Sequence, residues 1–322
     1  MTESGSPHRA WIEIDHAAIR HNVGVVRRHA PGARIIAVVK ANAYGHGDLP
    51  VARTLAAEGV EALAVATLDE ALWLRQAGIE LPILVLWGLG PSEAAALAAA
   101  PDLEAVVYDE AGVRMLDAAG AAAGRRIGVH LKIDTGLGRQ GASPDEAAAL
   151  GAAIARSAHL HLAGTMTHLA VPGEDEAFTE TQLLRMARAL DAMRSAGVDP
   201  GLVHVAATGS IVAGSLGFAD AVRPGLALYG LAPAWAGPGA IGLRAALSLK
   251  ARPLRLFDLP AGDGVGYGLR WRAARDTRVA TLGIGYGDGW PRSHANNGSA
   301  LVRGRRVPVV GMVSMDGLTV EI

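Results

Sequence analysis

Eight short apolar runs alternate with alanine-rich stretches over roughly 230 residues, and this alternation constrains the fold more than any other feature of the chain. Apolar runs without a polar face are typical of parallel strands buried on both sides, and alanine is the best helix former. The runs span Ile35–Val39, Ala62–Ala66, Ile83–Trp87, Ala105–Val107, Val129–Ile133, His161–Thr167, Val203–Ala206 and Ala221–Val222. Eight strands alternating with helices predict a (β/α)8 barrel of the TIM type, for which about 250 residues is typical. A doubly wound sheet is the competing fold.

Polar residues at the ends of distant runs favour the barrel over the open sheet. These residues are Lys40, Asp134, His168, Thr208 and Arg223. A closed barrel brings the carboxyl ends of all its strands around one mouth, where catalytic residues of such folds lie. We therefore expect one pocket to collect these side chains.

The residue pattern changes near Gly242, where strand-like segments separated by glycine-rich turns replace the helical pattern. Such segments span Leu249–Phe257, Arg278–Ile284 and Val307–Val313. We predict a barrel domain over residues 1–240 and a mostly β domain over residues 241–322, with residues 232–239 as a linker. A short strand within residues 9–14 is expected to pair with the β domain.

Composition excludes several classes of protein. Of the 322 residues half are hydrophobic, the formal net charge is −1 and cysteine is absent. Interspersed charges argue against nucleic acid or an anionic membrane as partner, and the missing cysteines exclude disulfides and thiolate chemistry. Residues 1–9 are polar and lack the apolar run of a signal peptide, so we expect a cytoplasmic protein.

The segment Val39–Gly47, with the sequence VKANAYGHG, carries the clearest chemical signal. Lys40, one of only three lysines in the chain, follows an apolar strand. An amine against apolar walls loses solvation, which lowers its pKa and suits it to attack a carbonyl, although a lysine at a strand end can also simply extend into solvent. The segment closely resembles the cofactor-lysine motif of the alanine racemase family, which implies pyridoxal phosphate as the cofactor.

The segment Arg223–Gly230 resembles the arginine motif of the same family, which implies that Arg223 faces the ring nitrogen of the cofactor. A guanidinium cannot accept the proton of the pyridine, because its own pKa exceeds about 12. The ring is then a weaker electron sink, which restrains decarboxylation and transamination and suits proton exchange at Cα.

The segment Lys132–Arg139 resembles the family motif that contacts the phenolic oxygen of the cofactor and the carboxylate of the substrate. Glycines at positions 136 and 138 allow a sharp turn that brings Arg139 over the mouth. In some relatives the lysine matching Lys132 is carbamylated and orients this arginine.

Further cofactor contacts are implied by the resemblance. The histidine matching His168 stacks on the pyridine ring, and Tyr44 offers a hydrogen-bonding ring near Lys40. At positions 207 and 208 this chain has Ala-Thr where the family usually has Asn-Ser, and a threonine hydroxyl still donates to phosphate. The expected phosphate cup comprises Thr208 and backbone amides at Gly209, Ser210, Gly225 and Leu226.

Racemisation needs a second base on the opposite face of the substrate. The segment Gly264–Gly268 resembles the family motif that supplies this base as a tyrosine from the neighbouring subunit, which implies that Tyr267 opposes Lys40 in a homodimer. Two other motifs imply that Tyr286 lines the substrate entrance and that Met315 and Asp316 face the partner's site.

The sequence departs from the family pattern at two further places. Met312 stands where relatives commonly have an entrance arginine. Family members also continue past the position of Ile322 with more β strands, including a phosphate-binding tyrosine, so we expect an incomplete β domain with an exposed strand edge.

The resemblance to the alanine racemase family thus implies an isomerase that interconverts L-alanine and D-alanine by two-base proton transfer and supplies D-alanine for peptidoglycan. A racemase of serine or another small amino acid is the close alternative. A non-catalytic pyridoxal-phosphate protein is a different class, which Tyr267, Met315 and Asp316 argue against and the missing C-terminal strands argue for. A lyase or decarboxylase is disfavoured by Arg223, and no metal is expected.

Overall fold

The computed structural model describes residues 8–322, and these form two compact units. One unit spans residues 15–246, and the other joins the N-terminal segment up to Ile14 with residues 247–322. The sequence-based boundary at residue 240 lies six residues before this division. None of the described helices is long and apolar enough to cross a membrane.

The larger unit is a closed barrel of eight parallel strands in the order β2 to β9. The strands are β2 (Arg34–Val38), β3 (Ala62–Val65), β4 (Ile83–Val85), β5 (Leu103–Val107), β6 (Ile127–Lys132), β7 (Leu160–Met166), β8 (Leu202–Ala207) and β9 (Ala221–Arg223). Each of the eight predicted runs therefore forms a barrel strand, and the doubly wound alternative is wrong.

Nine helical segments surround and connect these strands among the described residues, and the second of them is left-handed over residues 41–44. They are α1 (His16–His29), α2 (Lys40–Gly45), α3 (Asp48–Ala57), α4 (Leu68–Gln76), α5 (Pro91–Ala99), α6 (Glu110–Ala123), α7 (Ala147–Arg156), α8 (Glu176–Ser195) and α9 (Thr208–Ala213). Several begin at side chains that accept the unpaired amides of the first turn, as Asp15 does for α1 and Thr67 does for α4.

The barrel interior is filled by side chains rather than left as a channel. Six strands contribute Ile36, Val38, Ala64, Leu84, Val106, Met166 and Ala221 to one buried cluster. Side chains from strands on opposite sides of a barrel meet only inside it, so this cluster is the inner core.

The smaller unit contains two antiparallel sheets. β1 (Ala10–Ile14) pairs with β10 (Leu247–Ala251) along five residues of each. The second sheet has the order β11-β12-β15-β14-β13. Its strands are β11 (Pro253–Leu259), β12 (Thr277–Leu282), β13 (Ser299–Val302), β14 (Arg305–Val310) and β15 (Leu318–Glu321).

Two local expectations differ from the structure. The stretch 232–239 is part of the barrel unit and contains a 3₁₀ turn at Ala234–Ala236, because Trp235 packs so close to Gly173 that a Cβ there would lie 2.4 Å from the indole. The last strand, β15, lies between β12 and β14 and pairs with both, whereas β11 and β13 are the edge strands of this sheet, so its edges are not at the last strand.

Candidate active site

A cavity of about 270 Å³ lies at the carboxyl ends of the barrel strands. Its size is near the lower end of the range of about 300–1,000 Å³ common for small-molecule sites. It is lined by Val38, Lys40, Tyr44, Leu86, Trp87, Lys132, Arg139, Gln140, Met166, His168, Ala207, Thr208, Gly209, Arg223, Gly225 and Leu226. Of the five strand-end residues expected to share a pocket, Lys40, His168, Thr208 and Arg223 line this cavity and Asp134 does not. The expected cofactor residues Tyr44, Gly209, Gly225 and Leu226 also line it, whereas Ser210 does not.

Lys40 opens a left-handed turn that directly follows β2. Residues 41–44 all have φ between 51° and 56°, although none of them is glycine. Such a conformation costs roughly 1–2 kcal/mol per residue, because Cβ approaches the following carbonyl oxygen. The Glu70 carboxylate accepts the Ala41 amide at 2.6 Å, and the Asn42 side chain accepts the Asp48 amide at 2.9 Å. Strain concentrated beside the candidate lysine is typical of a functional site.

Arg139 lies in a loop that is organised by Asp134. The Asp134 carboxylate accepts the amides of Gly136, Leu137 and Gly138 at 2.9 to 3.2 Å. Although burial acts in the opposite direction, these hydrogen bonds hold the pKa of Asp134 below its ordinary value. The Arg139 guanidinium lies 5.4 Å from the ring centre of Trp87, close enough for a cation–π contact.

Four cationic side chains line this one cavity: Lys40, Lys132, Arg139 and Arg223. Lys132 is buried and donates to the Gln140 side chain at 3.1 Å. Burial and then the charges of Arg139 and Arg223 lower the pKa of Lys132 to about 8. The resulting positive field suits a ligand that carries several negative charges.

Arg223 is buried at the end of β9 and is held by backbone carbonyls. It donates to the carbonyls of Thr167 and His204 at 2.6 and 2.5 Å, and to the His168 ring at 3.4 Å. Burial lowers the pKa of Arg223, but the guanidinium stays charged at neutral pH. Burial and then the charge of Arg223 lower the pKa of His168 to about 3, so this ring is neutral.

Thr208 organises the expected phosphate cup. Its hydroxyl accepts the amides of Gly225 and Ala227 at 3.3 and 3.1 Å, which leaves its own proton free to be donated. The Gly225 amide is thus already bound to Thr208, contrary to the expectation that it faces the phosphate. The Ser210 hydroxyl is buried and has no hydrogen-bond partner among residues 8–322.

The other four sequence-predicted residues lie in the smaller unit and do not line this cavity. Tyr267 is 73% exposed, and Tyr286 and Met315 are also exposed. Asp316 lies 4.0 Å from Arg9, at the limit of an ion pair. The barrel unit by itself therefore does not contain the proposed second base.

Sequence reasoning missed Trp87 and Gln140 as lining residues. Trp87 was assigned to a strand, but β4 ends at Val85, which frees the indole to contact Arg139. Gln140 directly follows Arg139, and only the folded loop shows that it accepts from Lys132.

Comparison with known proteins shows similarity along nearly the whole chain. The family described as alanine racemase, N-terminal domain, matches residues 14–233, and the alanine racemase C-terminal domain matches residues 246–322. The alanine racemase of Symbiobacterium thermophilum is 39% identical over 313 residues, which cover 97% of this chain and 83% of that protein.

Solved structures show the same similarity. The alanine racemase of Streptomyces lavendulae superposes with a TM-score of 0.90 at 36% identity, over 98% of this chain and 84% of that one. The alanine racemase of Bartonella henselae, described as having covalently bound pyridoxal phosphate, superposes with a TM-score of 0.84 at 29% identity, over 98% and 86%.

Proposed function

This chain belongs to the alanine racemase family and is an isomerase that interconverts L-alanine and D-alanine, and we propose that it does so with Lys40 and Tyr267 as opposed bases on pyridoxal phosphate. The observation that carries this assignment is the cavity where Lys40 meets three further cations at the barrel mouth. A phosphate, a phenolic oxygen and a substrate carboxylate together match that charge.

The residues of the cavity fit the cofactor. Thr208 lines the cavity and has a free hydroxyl proton that it can donate to a phosphate. Ser210, two residues further along the chain, has a buried hydroxyl without a partner among residues 8–322. Gly225 leaves room for the Tyr44 hydroxyl, which lies 2.5 Å from where a Cβ would be. In this proposal Lys40 takes the aldehyde, Arg223 faces the ring nitrogen and His168 covers the ring. When bound, the cofactor supplies the electron sink that makes the α-proton of an amino acid removable.

Arg223 sets the reaction specificity in this proposal. Its guanidinium is charged at neutral pH, so it would donate a hydrogen bond to the ring nitrogen without releasing a proton to it. The electron sink is thereby weakened, which favours return of the proton to Cα over loss of a carboxylate. The neutral His168 ring adds no charge of its own on the face of the cofactor.

The two bases act on opposite faces of the substrate carbon. Lys40 removes or returns the proton on one face, and we assign the other face to Tyr267 of a second copy of this chain. Arg139, with Tyr286, Met315 and Asp316, is assigned to the substrate carboxylate and its approach. These assignments rest on the matched family motifs and on the exposure of Tyr267 in the smaller unit.

Proton exchange in deuterated water tests the assignment. Purified protein with added pyridoxal phosphate is incubated with L-alanine or D-alanine, and loss of the α-proton and interconversion are followed by NMR. We expect both enantiomers to exchange and interconvert with wild-type protein. Lys40→Ala should abolish both the bound-cofactor absorbance and all exchange.

Tyr267→Phe separates the two bases because it removes only one hydroxyl. We expect the variant to bind cofactor and to exchange the α-proton of one enantiomer with retention, while interconversion stops. Normal interconversion by Tyr267→Phe would refute the two-base assignment, and cofactor-loaded wild-type protein without exchange would refute the racemase assignment.

We also propose a cytoplasmic location and a role in supplying D-alanine to the cell wall. Both follow from the family and the substrate, and the absence of a membrane-spanning helix among the described residues agrees with the first. Growth of a strain without this gene, with and without added D-alanine, tests the role.

A further inference from the structure

A hydrogen-bonded network of four polar side chains crosses the interior of the barrel beneath the active site. Arg223 donates to His204 Nδ1 at 2.9 Å, His204 Nε2 lies 2.7 Å from His130 Nδ1, and His130 Nε2 lies 2.9 Å from a carboxylate oxygen of Glu104. Arg223 lies at the carboxyl end of β9, whereas Glu104 lies near the amino end of β5. The hydrogen bonds thus connect the mouth of the barrel with its opposite end.

The donor and acceptor groups of the four side chains allow only one direction of hydrogen bonding through this network. A guanidinium only donates, so His204 Nδ1 accepts and a neutral His204 carries its proton on Nε2. That proton is donated to His130 Nδ1, which leaves His130 with a proton on Nε2 for the Glu104 carboxylate. Burial and then the charge of Arg223 lower the pKa of His204 well below its ordinary value, in agreement with a neutral ring.

The surrounding strands leave space for the side chains of this network. A Cβ on Gly164 would lie 2.6 Å from His130 Nδ1, and a Cβ on Gly128 would lie 3.1 Å from the Glu104 side chain. The β6–β7 register shifts at His130, and the β8–β9 register shifts just after His204. The space for both rings is therefore built into the backbone.

Glu104 is the anionic end of this network. Within residues 8–322 Arg223 forms no ion pair with a carboxylate, although it is buried. A buried charge without a counter-charge is costly, and a hydrogen-bonded network can link it to one at a distance. Although burial acts in the opposite direction, the hydrogen bond from His130 holds the pKa of Glu104 below its ordinary value, so the carboxylate is charged. Its side chain is 26% exposed, whereas the two histidines are buried.

We propose that Glu104 is a positioning residue for Arg223, which it orients and electrostatically balances through His130 and His204. The proposal rests on the assignment of Arg223 to the ring nitrogen of the cofactor. Without the carboxylate, the field of Arg223 at the ring becomes more positive and its hydrogen-bonded orientation is less defined. The weakened electron sink would then be partly restored, and with it transamination.

The first test uses cofactor-free protein, so it does not depend on the proposed function. Nitrogen-15 NMR of the histidine rings distinguishes protonated from unprotonated nitrogens. In wild-type protein at about pH 7 we expect His130 and His204 to be protonated on Nε2 alone. Glu104→Gln should keep this pattern, because the amide oxygen still accepts, whereas Glu104→Leu should change the nitrogen shifts of both rings.

Glu61 provides the matched control, since its carboxylate also lies at the amino ends of the barrel strands and accepts the Ile35 amide at 2.7 Å. Glu61→Leu should leave both histidine rings unchanged. Histidine shifts in Glu104→Leu that equal those of wild-type protein would overturn the proposal, whether or not the protein racemises alanine.

The second test uses protein loaded with pyridoxal phosphate and separates the charge of Glu104 from its hydrogen bond. Glu104→Gln keeps the hydrogen bond but removes the charge, so we expect pyruvate released per racemisation event to rise severalfold while KM for alanine stays unchanged. Glu61→Gln should release pyruvate at the wild-type rate. An unchanged pyruvate ratio in Glu104→Gln would overturn the electrostatic role, and an inactive wild-type protein would refute the proposed function while the histidine shifts still decide the hydrogen-bonded role.

Discussion

At the scale of single residues, the site is defined by cations that line one cavity, two of which, Lys132 and Arg223, are buried. Lys132 is buried near Arg139 and Arg223, and its hydrogen-bond acceptor is the neutral amide of Gln140. Burial of the two charges of Lys132 and Arg223 therefore lowers the stability of the folded protein in the absence of an anionic ligand. This cost is typical of sites in which stability is given up for function.

The lowered pKa of Lys132 predicts a pH-dependent stability of the cofactor-free protein. Below about pH 8 the lysine is charged in the folded and unfolded states alike, and the folded state bears the full cost. Between about 8 and the ordinary value of 10.5 the unfolded chain holds a proton that the folded chain has released, so stability rises with pH. We expect Lys132→Met to be more stable than wild-type protein at pH 7, by up to about 3 kcal/mol.

Denaturant unfolding of both proteins from pH 7 to pH 10 measures this effect, because the difference between them cancels the other titrating groups. The advantage of Lys132→Met should shrink as the pH rises. A constant difference across this range would contradict the lowered pKa.

At the scale of elements, the left-handed turn after β2 is the least expected feature of the fold. Four consecutive L-residues with positive φ cost several kcal/mol, and the contacts from Glu70 and Asp48 hold the segment in place. The turn lets Lys40 line the cavity although none of residues 41–44 is glycine. The buried methyl of Ala43 explains why glycine does not occupy the whole turn.

Glycine substitution tests the strain, because it is expected to lower stability in a right-handed helix but not in the left-handed turn. Ala41 is exposed with φ of 52°, so Ala41→Gly should leave stability unchanged or raise it by up to about 1 kcal/mol. The control is Ala118→Gly, at an exposed position inside the right-handed helix α6, which should lower stability by about 1 kcal/mol. Denaturant midpoints measure both, and an equal loss in the two variants would show that the turn is not strained.

At the scale of the whole molecule, the proposed site residues are divided between the two units. The barrel holds the residues assigned to the cofactor, and the smaller unit holds Tyr267, Tyr286, Met315 and Asp316. A homodimer that shares its sites across chains, as we propose, accounts for this division.

Mixed oligomers test the sharing of sites. Lys40→Ala and Tyr267→Phe chains are each expected to be inactive as racemases. After the two are unfolded together and refolded, random pairing should give about a quarter of wild-type activity, because half of the dimers then contain one intact site. Lys40→Ala mixed with a chain that carries both substitutions is the control and should stay inactive. A mixture of the single variants without activity would contradict the shared site.

Much of this protein follows from the sequence because the relevant patterns are local. Burial on both faces leaves continuous apolar runs, so all eight barrel strands could be predicted, and strand ends mark the residues that surround the mouth. The motifs around Lys40, Arg139 and Arg223 are short and contiguous, and they were sufficient to indicate the family and its cofactor.

The tertiary structure alone decided which distant residues meet. The line from Arg223 through His204 and His130 to Glu104 joins four strands, and its histidines are 74 residues apart in sequence. Neither histidine belongs to a local pattern that indicates a role, because their partners are chosen by barrel closure and by register shifts in the strands. The left-handed turn likewise depends on contacts from other elements, which outweigh the local preference of four L-residues. Local sequence patterns determined which residues are buried, whereas closure of the barrel determined which buried polar groups form hydrogen bonds with one another.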